Sequence, residues 1–413
     1  MQLLYRRCCG LDIHKAAISV CVLIQREGRE PEYRKRSFES FTDDLARLRR
    51  WLAQCKVTHL AMESTGVYWK PVWNVLEEGP WEMLLINPQH FHGIPGEKTD
   101  PKDSRWIAEL LAHGLLRPSF VPPQSIRQLR DLTRYRVHLK QDRNRIHNRI
   151  HKQLEDANIK LDCVASDILG MSGRAMINAL IEGRNGPVYI ADHAARGHLR
   201  KKVPELARAL KGRITAHHRL MLAELVRDLD ATDEAIRRIE ATLVERTLPY
   251  QDIVERLATI PGVDLITAWT IIAEIGTDMS RFGDADHLVS WAGLCPGLNE
   301  SGGKRRSGRT RKGDRYLKRA LCQTAWVISH TKDNYLTALF YRLAGRIGIK
   351  KATLAVAHQV LRIVFHIIRD GAVYRELGGN YFDRLHPERT TKRLVRRLEQ
   401  LGHQVSLQPR NAG

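Results

Sequence analysis

The sequence lacks long apolar runs, which excludes several classes of protein. In 413 residues, no uninterrupted apolar stretch reaches the roughly 20 residues that span a bilayer. The first stretch, MQLLYRRCCGLDIHK, carries Arg6 and Arg7 but no apolar signal-peptide core. The most apolar late segment contains His358, Arg362 and His366, so we expect it to form a core helix. These features predict a cytoplasmic protein without a membrane-spanning segment.

Cysteine and acidic residues are also scarce. The seven cysteines are odd in number and form no CxxC pair, so neither a disulfide framework nor a zinc knuckle is expected. They fit the thiols of a reducing compartment. Lys and Arg number 67 against 46 Asp and Glu, which gives a net charge of +21. Such an excess favours a polyanionic partner, and nucleic acid is the expected one.

The periodicity of the chain predicts an α/β region followed by a helical remainder. Early on, β-rich segments such as LDIHKAAISVCVLI and THLAMES alternate with helical ones such as TDDLARLRRWLAQC. Later, apolar residues in steps of three, four and seven indicate paired helices of the coiled-coil type. These seam positions are Leu132, Leu139, Ile146, Leu222, Leu225, Leu229, Thr232, Ile236, Ile239 and Leu243. We expect an α/β domain at 1–120, a helical coiled-coil and oligomerisation region at 121–249, a mostly helical domain at 250–376 and a basic helix and tail at 377–413.

The first helix of the middle region is strongly basic. Its cationic residues are Arg127, Arg130, Arg134, Arg136, Lys140, Arg143, Arg145, Arg149 and Lys152. Such a face is usually just solvated by water. At this density, contact with phosphates is an equally weighted alternative.

Four acidic residues of the first region need a physical explanation. Asp12 interrupts a strand, where an unpaired buried carboxylate is costly, so its partner is either Lys15 or a metal ion. Glu63 ends the strand HLAME, at the edge where α/β sheets place their chemistry, or it begins a helix. Asp100 and Asp103 in KTDPKDSRW fit helix capping and project from the same helix start.

Together the four acids predict a metal site. Clustered carboxylates repel one another unless a cation neutralises them. Oxygen-rich acidic sites suit Mg²⁺ or Mn²⁺. Two such ions, ~3.5–4 Å apart, hold both the attacking and the leaving oxygen of a phosphodiester. The acids therefore favour chemistry on a nucleic-acid backbone.

A second candidate site lies in NESGGKRRSGRTRKGDR. Ser301 stands beside two glycines at the head of what we expect to be a flexible cationic loop. The candidate phosphate-binding residues that follow are Lys304, Arg305, Arg306, Arg309, Arg311 and Lys312. On the residues alone, Ser301 is either a nucleophile that attacks a phosphate or simply a polar loop residue that belongs to a phosphate-binding loop. A serine hydroxyl needs a base or a metal to activate it, and the loop supplies no obvious base.

Upstream, LATIPGVDLITAWTIIAEIG predicts a tight turn at Pro261 and Gly262 that leads into an apolar helix. In a helix-hairpin-helix element, such a glycine lets backbone N–H groups approach a DNA phosphate. Gly262 is therefore a candidate nucleic-acid-binding residue. An ordinary helical hairpin is equally compatible with the pattern.

These motifs, in this order, resemble the DEDD insertion-sequence transposases with a RuvC-like N-terminal domain, the insertion-sequence family numbered one-ten. GLDIHK, ESTGVYW, INP and KTDPKDS match its N-terminal blocks. IPGVDLITAWTIIAEIG, FGDADHLVSWAGLCPGLNESGGKRRSG and KGDRYLKRAL match its C-terminal blocks. Each motif alone is weak, but the ordered set across residues 9–329 is specific.

The resemblance implies an RNase H/RuvC-like first domain and a DNA transposase or recombinase. It implies that Asp12, Glu63, Asp100 and Asp103 hold Mg²⁺ or Mn²⁺, and that Ser301 forms a covalent phosphoserine link to DNA in a centre shared between subunits. On this basis Ser301 is favoured as the nucleophile over Ser307 and, more strongly, over Cys295. It also implies a structured bridge-type guide RNA and a prokaryotic, nucleoid-associated protein. The lack of a recognisable helix-turn-helix or zinc finger agrees with base reading by RNA. The paired helices are expected to assemble a homodimer or tetramer, since strand exchange needs several active sites.

Two other functions stay open on the residues alone. A RuvC-like metal-dependent endonuclease or junction resolvase would attack with activated water, and Ser301 would only contact phosphate. A non-catalytic nucleic-acid-binding protein would keep its function without Asp12 and Glu63. The presence of all four acids counts against this last reading.

Overall fold

The computed structural model describes residues 3–64, 66–87, 103–183, 185–297, 299–302 and 304–408. The chain forms two compact units, Met1–Gln124 and Ser125–Gly413. The first unit is mixed α/β and the second is mostly helical, as the sequence predicts. The finer division at residues 249 and 376 stays a prediction.

A five-stranded sheet organises the first unit. Its elements are β1 (Arg7–Ile13), β2 (Ala17–Ile24), β3 (Glu32–Glu39), α1 (Thr42–Gln54), β4 (His59–Glu63), α2 (Trp69–Leu76), β5 (Glu82–Ile86) and α3 (Asp103–Ala112). The strand order is β3-β2-β1-β4-β5, with β1, β2 and β3 antiparallel and β1, β4 and β5 parallel. The parallel strands are covered on both faces, which explains why they read as short apolar runs.

Successive side chains of β1 serve opposite faces of the sheet. Cys9 and Leu11 pack with α1 and α2 on one face. Gly10 lies on the other face, where α3 crosses β1. A Cβ atom at Gly10 would come within 2.1 Å of the Ser104 carbonyl oxygen and 2.5 Å of the Ala108 nitrogen. Glycine is therefore what lets the backbones of strand and helix approach this closely.

Replacing Gly10 by alanine is expected to lower the free energy of unfolding by about 2 kcal/mol or more, because α3 must move away from β1. Urea unfolding followed by tryptophan fluorescence measures the change. Gly345→Ala is the matched control, since nothing lies within 4 Å of a Cβ atom there and alanine favours its helix. Equal stability of the two variants would contradict the close packing of α3.

The second unit begins with two long helices and three short ones between them. They are α4 (Gln124–Asp156), α5 (Met171–Glu182), α6 (Pro187–Ala194), α7 (Val203–Ala209) and α8 (Ala216–Thr247). The ion pairs Arg136–Glu240 and Arg143–Asp233 join α4 to α8 and show that the two run antiparallel. We call α4 and α8 the helical arm; α5, α6 and α7 pack at its far end around residues such as Ile150.

The predicted apolar seam is confirmed, and its two helices pair within one chain. The buried seam residues are Leu139, Ile146, Leu222, Leu225, Leu229, Ile236 and Leu243. Leu132, Thr232 and Ile239 are half-buried at its margins. Assembly of several chains through these helices stays a prediction.

The remaining helices form a bundle that carries one small hairpin. The elements are α9 (Gln251–Ala258), α10 (Leu265–Ile275), α11 (Ala285–Trp291), β6 (Asn299–Ser301), β7 (Lys304–Ser307), α12 (Arg315–Ile328), α13 (Tyr335–Ile347), α14 (Ile349–Asp370), α15 (Tyr381–Leu385) and α16 (Pro387–Gln400). α14 packs against α9, α11, α12 and α13, as predicted for a core helix. Within the described residues, α14 alone has the length and composition to cross a membrane, and half of its most apolar window is buried in the protein.

Candidate active site

Asp12 and Glu63 lie side by side at the C-terminal ends of two neighbouring parallel strands. Leu11 of β1 pairs with Met62 of β4, so the two acids occupy the next position of the same register. Residues in register point to the same face of a sheet, which here is the face that α3 covers. Asp12 is 7 % exposed and Glu63 is half-buried. The alternative in which Glu63 begins a helix is wrong, since α2 begins at Trp69.

Asp103 is the first residue of α3, the helix that covers this face. The contact at Gly10 places Ser104, which is 3 % exposed, directly over β1. Asp12 lies two residues beyond Gly10 on the same strand face. The fold therefore gathers the start of α3 and two strand-end acids at one place. Asp100 lies outside the described residues, and capping of α3 by Asp100 and Asp103 stays a prediction.

The carboxylate of Asp12 contacts a histidine. His14 Nε2 lies 3.1 Å from Asp12 Oδ2, and the His14 side chain is 61 % exposed. The sequence did not predict this contact with His14, and Lys15 or a metal ion as a partner of Asp12 stays a prediction. Two carboxylates on rigid strand ends, one of them almost fully buried, fit a hard divalent cation that prefers oxygen ligands.

Ser301 ends the first strand of a β-hairpin, so the prediction of a flexible loop is wrong for this stretch. β6 and β7 pair antiparallel, with Ser301 opposite Lys304 and Glu300 opposite Arg305. Gly302 follows with φ +59°, a left-handed conformation that glycine adopts without strain. Short antiparallel strands tolerate a tight turn only with such residues. The hairpin therefore places the backbone of Ser301 at its turn.

Close backbone contacts hold the base of the hairpin. A Cβ atom at Gly313 would lie 2.4 Å from the Gly293 nitrogen, so the segments that enter and leave the hairpin touch through two glycines. Lys318 Nζ donates to the Gly293 carbonyl oxygen at 2.9 Å and to Thr310 Oγ1 at 2.8 Å. Pro296 and Thr310 also form a β-bridge. The hairpin is thus fixed to α12, which carries Lys318.

A buried ionic network joins α4, α10 and α12 next to the hairpin. Glu274 of α10 is 0 % exposed. Arg134 Nε and Nη2 donate to its two carboxylate oxygens at 2.8 and 2.7 Å. Arg130 donates to the carbonyl oxygens of Ala273 and Glu274 at 3.0 and 2.7 Å. Burial raises the pKa of Glu274 to about 7, although the guanidinium of Arg134 acts to lower it.

Asp314 links this network to the hairpin. Its Oδ2 accepts from Arg134 at 3.0 Å, and its Oδ1 accepts from the backbone nitrogens of Tyr316 and Leu317 as the N-cap of α12. Arg134 also lies 4.6 Å over the Tyr316 ring. Since Asp314 directly follows the hairpin segment, the network fixes the point at which the hairpin joins α12.

Sequence reasoning missed the role of Glu274. The available signal was a carboxylate inside the apolar segment IIAEI, the same argument that singled out Asp12.

The basic face of α4 forms an intramolecular interface at Arg130, Arg134, Arg136 and Arg143. Their acidic partners are Glu274, Asp314, Glu240 and Asp233.

The predicted phosphate-binding residues of the hairpin divide into two groups. Arg309, Arg311 and Lys312 are exposed at its base. The side chains of Lys304, Arg305 and Arg306 lie outside the described part of β7, as does that of Ser301 on β6. Their contacts with phosphate stay predictions.

The turn at Gly262 packs against α12. Its φ is +77°, and an added Cβ atom would lie 3.1 Å from Ile328 Cγ1 and 3.2 Å from the Thr324 carbonyl oxygen. Conformation and packing therefore both require glycine there. Contact of this turn with a DNA phosphate stays a prediction.

The cysteines offer little support for a reactive thiol. All seven are free thiols, and four of them are buried in the first unit. Burial raises the pKa of the Cys295 thiol, which keeps it protonated at neutral pH. A protonated thiol is a weak nucleophile, so Cys295 is a poor alternative to Ser301.

In the described part of the second unit, His151, Glu155 and Asp162 have ligand atoms within 4.8 Å of one another. The sequence did not predict this group. Lys160 donates to Glu155, and His151 Nε2 lies 2.9 Å from Asp162 Oδ2. Each carboxylate of the group therefore already has a cationic or polar partner.

Two family profiles match the chain. One, described as a DEDD transposase domain of the IS110 type, matches residues 9–159, which include Asp12 and Glu63. The other, described as transposase of the IS116/IS110/IS902 family, matches residues 254–342, which include Ser301. Together they cover more than half of the chain.

Curated relatives extend the likeness. The "Insertion element IS110 uncharacterized 43.6 kDa protein" of Streptomyces coelicolor is 27% identical, over 68% of this chain and 73% of the relative. The "Transposase for insertion sequence element IS1328" of Yersinia enterocolitica is 25% identical, over 79% of this chain and 88% of the relative. The transposase of element IS1111A from Coxiella burnetii is 24% identical, over 70% of this chain and 72% of the relative. With both of its domains present, this chain belongs to the IS110/IS116/IS902 family of insertion-sequence transposases.

Proposed function

We propose that this transposase cuts and rejoins DNA through a covalent phosphoserine link at Ser301. The observation that carries the proposal is the hairpin, in which the backbone of Ser301 lies at a tight turn on a base held by Lys318 and by paired glycines. A residue that only contacts phosphate needs no such fixed position. Rigid placement is what an attacking group requires, because a displacement of ~1 Å costs about 10²-fold in rate.

The acids of the first unit complete the proposed centre. A strand order of β3-β2-β1-β4-β5, with acids on β1 and β4, supports an RNase H/RuvC-like domain. We infer that Asp12, Glu63, Asp100 and Asp103 hold Mg²⁺, or Mn²⁺ in its place. When bound, such an ion neutralises phosphate oxygens and lowers the pKa of an attacking oxygen. The role of the protein is to hold these carboxylates at the ends of strands and at the start of α3.

The transfer step conserves the number of phosphodiester bonds. The Ser301 Oγ–phosphorus bond forms while the bond from phosphorus to one deoxyribose oxygen breaks. The serine hydroxyl releases its proton, and the departing oxygen takes one up. Exposed Arg309, Arg311 and Lys312 would neutralise charge on the phosphoryl oxygens. Attack by a second DNA hydroxyl then reverses the step, so strands are rejoined without an external energy source.

The proposal extends to partners. DNA is the substrate, and a bridge-type RNA selects the DNA sequence. The net charge of +21 supports nucleic acids as partners. A homodimer or tetramer supplies several centres, with domains from different subunits in each. The predicted location is the prokaryotic cytoplasm, at the nucleoid.

The test uses purified protein with its co-purifying RNA, Mg²⁺ and end-labelled DNA that carries the element junction. The reaction is denatured and separated on a protein gel, with and without a metal chelator. Label that stays at the size of the protein after denaturation, and is lost with the chelator, is the expected result. Cut DNA without protein-bound label would overturn the proposal in favour of a hydrolytic RuvC-like nuclease.

Asp12→Asn and Glu63→Gln are expected to weaken binding of Mn²⁺ at least about tenfold, since each removes a charged oxygen ligand. Titration calorimetry of the full chain measures the affinity. Glu78→Gln in the same unit is the matched control, because Glu78 is an exposed acid paired with Arg49. Loss of binding in His151→Ala instead would place the ion in the second unit and contradict the assignment.

A further inference from the structure

A basic groove of about 940 Å³ lies between α13 and α16. It belongs to neither the strand-end acids nor the serine hairpin. Six cationic side chains line it, all of them exposed: Arg342, Arg346, Arg389, Lys392, Arg393 and Arg396. Asp383 is the one carboxylate among the lining residues. The groove therefore concentrates positive charge in a concave surface.

The charge comes from two helical stripes that face one another. Arg342 and Arg346 are one turn apart on α13, while Arg389, Arg393 and Arg396 repeat along one side of α16. Asp383 lies 3.6 Å from Arg393, so it offsets a small part of the charge. Like charges that converge on a groove repel one another, and a polyanion in the groove removes this repulsion.

An aromatic side chain completes the groove. Tyr341 is 63 % exposed, and its hydroxyl donates to the Ser329 carbonyl oxygen at 3.0 Å, which fixes the ring. Nearby, Phe382 stacks on Tyr335 and lies under the Arg342 guanidinium at 4.7 Å. Cationic stripes beside an exposed, fixed ring are typical of surfaces that bind single strands, because an unpaired base stacks on the ring. A duplex keeps its bases out of reach of such a ring.

We propose that this groove binds a single-stranded stretch of nucleic acid, with its phosphates on the arginine stripes and one base on Tyr341. A displaced DNA strand and an unpaired RNA segment share this chemistry. The inference rests on the proposed function only in taking nucleic acid as the polyanion. An anionic membrane is the less favoured ligand, because the exposed leucines of α16, such as Leu394 and Leu398, do not line the groove.

The first test compares two triple variants of the full chain. Arg389→Gln/Arg393→Gln/Arg396→Gln removes three charges from the groove, while Arg208→Gln/Lys211→Gln/Arg213→Gln removes three exposed charges elsewhere. Binding of fluorescent 20-nucleotide dT and U oligonucleotides is followed by anisotropy across salt concentrations. The groove variant is expected to bind about tenfold more weakly or worse, with a salt slope smaller by about two, and the control to bind as wild type.

Equal losses of affinity in the two variants would show an effect of net charge and would overturn the assignment of the binding site to the groove. Tighter binding of the dT oligonucleotide indicates that the ligand is DNA, and tighter binding of the U oligonucleotide indicates that it is RNA. Either preference supports the proposal. Vesicles of phosphatidylserine and phosphatidylcholine form a further arm. If the groove variant loses vesicle binding but keeps oligonucleotide binding, the ligand is a membrane and the proposal fails.

The second test isolates the ring. Tyr341→Ala is expected to weaken single-strand binding about five- to hundredfold and to leave binding of a 20-base-pair duplex unchanged, while Tyr341→Phe keeps the affinity. Equal effects on single and double strands would exclude stacking. Ser301→Ala should leave this binding intact. Groove binding without a phosphoserine product would sink the proposed function alone, and the reverse result would sink this inference alone.

Discussion

Ser301→Ala is expected to abolish the covalent protein–DNA product, a loss of about 10⁴-fold or more, because alanine has no oxygen to form the bond to phosphorus. Binding of the same DNA is expected to be unchanged, since in the proposal the phosphate contacts come from the neighbouring basic residues. The protein-bound label measures the product, and anisotropy measures the binding. The two readouts separate a nucleophile from a phosphate ligand.

Ser307→Ala is the matched control, because it removes the same atom from the second strand of the same hairpin. It is expected to keep the product. If Ser307→Ala loses the label and Ser301→Ala keeps it, the nucleophile is Ser307. Cys295→Ala, which removes the half-buried thiol before the hairpin, is also expected to leave the product intact.

The largest expected effect on stability is that of Arg134→Ala, which should lower the free energy of unfolding by about 3–5 kcal/mol. The variant leaves the fully buried carboxyl of Glu274 without its bidentate partner. It also removes a contact from Asp314, the N-cap that follows the hairpin, so phosphoserine formation should fall as well. Urea unfolding of the full chain measures the loss.

Arg143→Ala is the matched control on the same helix. Its partner, Asp233, is 37 % exposed, and partly exposed ion pairs contribute only about 0–1 kcal/mol. Similar losses in the two variants would mean that the Glu274 network contributes no more than a surface pair.

The Glu274 network should also respond to pH in a defined direction. Burial raises the pKa of the Glu274 carboxyl from 4.5 to about 7. Between these two pH values the folded chain keeps the carboxyl proton, whereas the unfolded chain has released it. This contribution to stability is complete below the unfolded pKa and is lost as pH rises through about 7. Without Arg134 the pKa rises further, so the cost of Arg134→Ala should be larger at about pH 8 than at about pH 5. Glu274→Gln is expected to remove this slope.

The sequence predicts the strands around Asp12 and Glu63 because alternating β-rich and helical segments leave few choices. It does not by itself place the two acids side by side. That depends on β1 pairing in parallel with β4, across an excursion through β2, β3 and α1. The hairpin was not predicted, although two adjacent glycines between short polar segments are a tight-turn signal. The run of basic residues that follows is more typical of a flexible cationic loop than of a strand.

The network at Glu274 lies beyond periodicity arguments. A helical pattern shows which face of α4 is basic but does not name a partner 140 residues away. Four arginines of that face pair within the chain because α10, α12 and α8 pack beside it. Such long-range pairs depend on tertiary packing. The net charge alone therefore overestimates the number of basic side chains that are available to phosphate.

The two ends of the helical arm, at the start of α4 and after the end of α8, lie close together. Ser125 Oγ and the Tyr250 hydroxyl lie 3.4 Å apart although 125 residues separate them. The ion pairs Arg136–Glu240 and Arg143–Asp233 are spaced by one heptad on each helix. In evolutionary terms, the arm can therefore change length only in matched steps. One heptad gained by both helices moves the tip outward by about 10 Å and leaves the base intact, whereas a gain in one helix alone shifts every pair along the seam.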